Sequence, residues 1–310
     1  MSDSFKTAAA GLGDHLQMTN VSFDGAREFI DREGRLLERR MFAAIFESGP
    51  GDGVVDALRG FQNLDGGFGH GLEPDKRCPA SLPLDVETAF RSLEWAGVRD
   101  EAMVLRACEF LAGCADDGGA VALATPAIEG YPRAAHWAEW AYVPGLNPTA
   151  GLVGLLYRLG VEHGWREAAA AYCWRVLESE GLPGDAHSLS ETLVFLENVP
   201  ERDRADGLGR ALGGRLGSVA MLCLDPDDPS YGLTPLHLAP EPASIWRAEF
   251  SDAVIEAHLD RLERDQQDDG GWPLSWEPPS TAATLEYRGI ETIRALRVLT
   301  AYDRAAVTKR

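Results

Sequence analysis

Positive charge is scarce in this sequence. Lysine and arginine number 29 against 49 aspartates and glutamates, a formal net charge of −20. Such a surface repels phosphate backbones and anionic lipid headgroups, which argues against nucleic acid and membrane surfaces as partners. Long apolar runs are missing too: none approaches the roughly 20 residues that span a bilayer. Met1 to Asn20 contains no basic stretch followed by an apolar one, so no secretory signal is expected. Residues 1–20 read as a loose tail and 21–310 as the domain. Cysteines are few and odd in number (Cys78, Cys108, Cys114, Cys173 and Cys223) and form no Cys-x-x-Cys pair, which suits reduced thiols in the cytoplasm. The chain lacks a phosphate loop, a Gly-x-Gly-x-x-Gly turn, a Gly-x-Ser-x-Gly elbow and a His-Glu-x-x-His helix, and no metal site or cofactor is expected.

What is present is enough for a full core. Hydrophobic residues make up 45% of the 310 residues and charged ones 25%. The strongest pattern is a repeated ending. One copy runs Gln62-Asn63-Leu64-Asp65-Gly66-Gly67-Phe68, another Gln266-Gln267-Asp268-Asp269-Gly270-Gly271-Trp272, and a degraded copy is Asp116-Asp117-Gly118-Gly119. Apolar residues at helical spacing precede the two full copies: Val54, Val55, Leu58 and Phe61, then Val254, Ile255, Leu259 and Leu262. A glycine there takes the left-handed cap, the Asp bonds nearby amides, and the Gln ties the turn to a neighbouring helix.

Periodicity and breakers predict helices over 24–47, 51–62, 83–97, 100–113, 148–160, 165–180, 187–198, 202–221, 251–267 and 283–303, with no strand runs. The apolar runs at 151–156 and 193–196 suggest inner helices, and 166–180 and 201–215 outer ones. Such pairs cannot bury both faces alone and must stack. The segments 65–82, 115–147 and 222–250 are long enough to cover a cavity.

The Gln-x-x-Asp-Gly-Gly-aromatic ending resembles the QW repeat of squalene–hopene cyclases and the repeats of protein prenyltransferases. The resemblance implies an all-α fold, a single α/α toroid of five or six hairpins, with a cavity that holds an isoprenoid. Protein prenyltransferases hold zinc through Asp, Cys and His; here Cys223 and Asp225 are close, but His237 and His258 do not complete that pattern. A diphosphate substrate would bring magnesium with it.

Asp225-Pro226-Asp227-Asp228 matches the Asp-x-Asp-Asp pattern of class II terpene cyclases. By that resemblance Asp227 is the proton donor, with Asp225 and Asp228 tuning it, because clustered carboxylates do not all ionise cheaply. Phe68, His70, Trp137, Trp140, Tyr231, Trp272 and Trp276 are the candidate wall of a substrate pocket. Against this stands a turn reading, since Asp and Pro are ordinary turn residues and Pro229 follows at once.

Two other readings stay open. Asp85, Glu87, Thr88, Thr149, Ser188, Ser190, Glu191, Thr192, Glu286 and Arg288 stand at presumed inner-helix starts. They serve there as caps or, with Asp85 and Glu191 facing one another, as the acid and base of a carbohydrate-active enzyme. His70, Glu73 and Asp75 share one Gly-rich loop, as a hydrogen-bonded turn or as a metal or acid–base site, and Glu277 lies in the last repeat loop. The remaining reading is a toroid that binds a ligand or partner without catalysis.

Overall fold

The computed structural model describes residues 21–306. Over that range the chain is helical. In order come α1 (Phe23–Glu33), α2 (Leu36–Phe46), α3 (Asp52–Arg59), α4 (Pro83–Trp95), α5 (Glu101–Cys114), α6 (Leu146–Leu159), α7 (Gly164–Glu180), α8 (Ala186–Asn198), α9 (Arg202–Gly209), α10 (Pro235–Leu238), α11 (Asp252–Arg264) and α12 (Thr281–Ala301). Among the described residues β pairing is limited to isolated bridges, so the all-α expectation holds.

Local chemistry sets most of these boundaries. Ser22, Asp100, Asp185, Ser251 and Ser280 each accept a backbone N–H of the first turn of the helix that follows. Pro83 opens α4, where its missing N–H costs nothing. Gly160 ends α6 in the left-handed conformation, at φ 65°. The expected start at Ser188 moves back, because Asp185 is the cap and Ser188 its partner.

The helices differ in burial: more than half of the residues of α4, α6 and α8 are buried, and fewer than half of those of α5 and α7. α6 is buried on nearly every side, and Gly154 lets α8 approach so closely that an added Cβ would sit 2.5 Å from the Val194 carbonyl. α2 packs on α4, α4 on α6, α6 on α8 and α8 on α10, while α12 packs on α2 and α1 on α12. α5 packs on α7.

The three glycine turns share one geometry. Gly66, Gly119 and Gly270 have φ of 90°, 90° and 92°. A Cβ there would fall 2.3 Å from the Arg106 carbonyl oxygen, 2.9 Å from the Ala168 carbonyl carbon and 2.0 Å from the Gly25 carbonyl oxygen. Each glycine therefore lies flat on the backbone of another helix: α5, α7 and α1. Gln62 Nε2 donates to the carbonyls of Gly66 (2.8 Å) and Met103 (2.9 Å). Gln266 Nε2 donates to those of Gly270 (2.9 Å) and Ser22 (2.9 Å). The Gln266–Gly270 turn thus fastens the last helices to the first one.

A smaller apolar cluster, including Cys78, Leu82, Ile128 and Trp137, lies beneath the 65–82 and 115–147 segments. Backbone bonds from Arg77 to Pro132 and from Ala134 to Asp75, both 2.9 Å, stitch these segments together.

Candidate functional site

A cavity of about 1370 Å³ opens between the buried helices and the long segments. Helical spacing explains how one helix lines its whole depth. On α4 the wall residues are Leu84, Glu87, Thr88, Arg91, Glu94 and Trp95; on α12 Tyr287, Arg294, Arg297, Val298 and Ala301. α6 and α8 contribute Leu155 and Arg158, and Ser188, Glu191 and Glu197.

One end joins acids to aromatic rings. His70 and Gly71 adopt left-handed conformations, turning the chain so that the Glu73 N–H donates to Asp85 Oδ1 at 2.9 Å. Lys76, fully buried, pairs with Glu73 and lies 3.7 Å from Asp85. The Tyr287 hydroxyl donates to Glu73. Asp75 accepts from Trp276 Nε1 at 3.3 Å, with His136 Nε2 3.7 Å away. Trp137 packs on Trp140 with ring centres 4.7 Å apart, Tyr231 on Trp276 at 5.9 Å, and Trp276 on Tyr287 at 4.9 Å.

Charge balance decides the protonation here. Three carboxyls, those of Glu73, Asp75 and Asp85, surround the single ammonium of Lys76. Burial, then the charge of Glu73, pushes Asp75 up to about 7. Burial pushes Asp85 up to about 6, with Lys76 pulling the other way. Burial also works against the Lys76 charge, but Glu73 and Asp85 outweigh it and the ammonium is held. Burial lowers His136, which therefore adds no second cation near neutrality. The cluster keeps a proton; Glu73 and Asp75 both reach the cavity wall, and Asp75 is the one of the two whose neutral form is favoured.

A second carboxyl pair stands deeper in the wall. Arg91 grips both oxygens of Glu191, at 2.8 and 2.7 Å, and Glu87 at 2.7 Å. Gly151 makes room for this, since a Cβ there would come within 1.6 Å of Glu191 Oε2. Burial pushes Glu191 up to about 8 against the pull of Arg91.

Of the residues singled out from sequence, the fold brings Trp137, Trp140, Tyr231, Trp276, Glu73, Asp75, Glu87, Thr88, Ser188, Ser190 and Glu191 to this cavity. Others are spent elsewhere. Phe68 is fully buried in the core, and Trp272 is buried with its indole N–H on the Leu262 carbonyl at 2.8 Å. His70 is turned to Asn63 at 2.8 Å. Asp225, Asp227 and Asp228 form an exposed turn in which Asp225 accepts the Asp227 N–H (2.9 Å) and Asp228 that of Ser230 (2.8 Å). Asp227 faces Arg261 at 3.5 Å and does not line the cavity. Asp85 is buried behind the wall, Glu286 pairs with Arg77, and Glu277 lines a shallower surface pocket.

Sequence reasoning passed over Lys76, Arg91, His187, Tyr287 and Arg297. Only Arg91 left a signal, four residues after Glu87 and so on the same helix face. Among the described residues no group of three or more His, Cys, Asp or Glu is placed to hold a metal ion. No protein-family model matches the chain, and no curated protein matches it either.

Proposed function

We propose that this chain is an acid–base enzyme that cleaves a glycosidic bond of a carbohydrate-class substrate inside the cavity of a single α/α toroid. The toroid reading is supported by helix neighbours that lead from α2 through α4, α6 and α8 and return from α12 to α2. It is supported also by the bonds from Gln266 back to Ser22. The repeated turns keep the likeness to prenyltransferase-type repeats as the source of that reading.

One observation carries the chemistry: Asp75, a carboxyl that keeps its proton to about pH 7, stands among Trp137, Trp140, Tyr231 and Trp276 on one cavity wall. Flat aromatic faces receive the C–H faces of sugar rings, and the polar groups of Ser188, Glu191 and Arg91 suit hydroxyls better than hydrocarbon. Asp75 then protonates the departing oxygen, while Glu87, as the second carboxylate, takes a proton from the water that adds to the anomeric carbon. The Trp276 indole N–H holds Asp75 in place, and burial with the charges of Glu73 and Lys76 sets its proton affinity.

The same aromatic wall favours a second reading, an isoprenoid-related reaction. There Asp75 protonates an alkene and the rings stabilise the cation. Asp75 takes the role expected of Asp227, because Asp227 is exposed and paired with arginine. Turnover of oligosaccharide and isoprenoid panels by the wild type and Asp75→Asn separates the two. Glycan cleavage that falls about a thousandfold or more in the folded variant supports the first reading. Terpenoid products alone replace it with the second, and equal turnover by both proteins removes Asp75 from either.

A further inference from the structure

The cavity wall holds arginines 91, 158, 294 and 297. Arg91 is paired with Glu87 and Glu191, Arg158 with Glu94 at 3.1 Å, and Arg294 with Glu291 at 2.7 Å. Arg297 has no carboxylate partner among the described residues, although Glu94 and Glu241 act on it from a distance. It stands just ahead of the last turn of α12. It caps nothing, for no carbonyl accepts from it among the described residues. Arg202, Arg247 and Arg288, by contrast, each donate to a carbonyl.

The face of Arg297 is occupied: its Cζ lies 4.6 Å from the ring centre of Trp95. Stacking holds the guanidinium flat and leaves its N–H edge to meet a planar anion in two-point fashion. Burial lowers the pKa of Arg297, as expected of a half-solvated charge whose counter-ion is not part of the fold.

We infer that Arg297, stacked on Trp95, is a subsite for one anionic group of the substrate, a carboxylate or a phosphate, at the end of the cavity opposite Asp75. The separation follows from the helix. Tyr287, which touches Glu73, and Arg297 are ten residues apart on α12, about 15 Å at 1.5 Å per residue. The substrate is therefore elongated, with the bond to be protonated at the aromatic end and the anion roughly three sugar rings away. Because the rest of the wall is rich in acids, a ligand with many negative charges is disfavoured, and the anion is a terminal one. This deepens the proposed reaction and rests on Asp75 marking the reacting end.

The test is calorimetric titration of the full chain with two matched pairs: a neutral galactose trisaccharide against the same trisaccharide ending in one galacturonate, and farnesol against farnesyl diphosphate. The wild type is expected to bind the charged member of one pair about tenfold tighter than its neutral partner. Which pair does so tells carboxylate from phosphate. Arg297→Gln is expected to erase the preference, Arg297→Lys to keep part of it, and Asp75→Asn to leave it intact. Equal binding within both pairs, no binding of either charged probe, or a preference that survives Arg297→Gln overturns the subsite. If Asp75→Asn turns over substrate like the wild type while Arg297→Gln loses the preference, the acid role fails and the subsite stands.

Discussion

Asp75 and Lys76 are neighbours in sequence with opposite demands on the fold. Asp75 favours its neutral form, since its folded pKa of about 7 lies above the ordinary 3.8. Its contribution to stability is therefore complete below about pH 4 and is lost as pH rises through 7. Asn can accept the same Trp276 N–H and never ionises. Asp75→Asn should match the wild type in denaturant stability near pH 4 and exceed it at pH 8 by on the order of 2 kcal/mol, reduced because the cavity is open to water. A variant less stable at pH 8 would show that the ionised carboxylate is the form the fold holds. Lys76 is the reverse case. Lys76→Met leaves Glu73 and Asp85 without their cation, at a cost of about 3–5 kcal/mol at pH 8. The loss should shrink toward pH 4, where Asp85, raised to about 6, takes up a proton, and denaturant midpoints at the two pH values measure it. At this scale the sequence was informative only in part. It marked His70, Glu73 and Asp75 as one loop cluster, yet Asp225-Pro226-Asp227-Asp228 looked the stronger acid motif. Motif spacing reports only local geometry. The burial that separates Asp75 from Asp227 comes from Trp276 and Tyr287, about two hundred residues away from Asp75.

At the scale of elements, the glycine turns do by backbone contact what side chains do elsewhere. Gly66→Ala and Gly270→Ala each place a Cβ against a carbonyl oxygen, at 2.3 and 2.0 Å, on a backbone with φ near 90°. Either substitution should cost about 2–4 kcal/mol in chemical denaturation. Alanine at exposed Gly97, also left-handed but with open space around it, should cost only about 1 kcal/mol. Equal losses at all three positions would mean that backbone strain, and not packing against the neighbouring helix, accounts for the effect. These turns and most helices were legible because caps, periodicity and glycine act within a few residues. Two boundaries were not. The expected helix over 24–47 breaks after α1 at Gly34, whose added Cβ would meet the Ile30 carbonyl at 2.7 Å, although the apolar period continues into α2. The helix expected over 202–221 stops with α9 at Gly209, which lies against Trp246, a contact no local pattern announces. Short α10 was hidden in a loop because four residues carry no period.

For the whole molecule, the question is whether its helices make an open row or a closed circuit. An open row of repeats has two weak ends that fray ahead of the centre. In this chain α1 is fastened to the far end of the sequence: Ser22 exchanges hydrogen bonds with Gln266 at 2.7 and 2.9 Å, Gly270 lies on Gly25, and α1 packs on α12. The proposed toroid then has no free end, and its cavity has wall residues on α12 as well as on α4 and α8. Hydrogen exchange measured by mass spectrometry tests this directly. With closure, amides of α1 and α12 should open with about the same free energy as those of α6 and α8, through one global event. Gly270→Ala should lower protection at α1 and α12 first, because it breaks the junction and leaves two ends. Fast exchange of α1 in the wild type would mean an open array. The proposed reaction would then lose its footing as well, since Asp75 is held beside α12 residues only if the first and last helices meet.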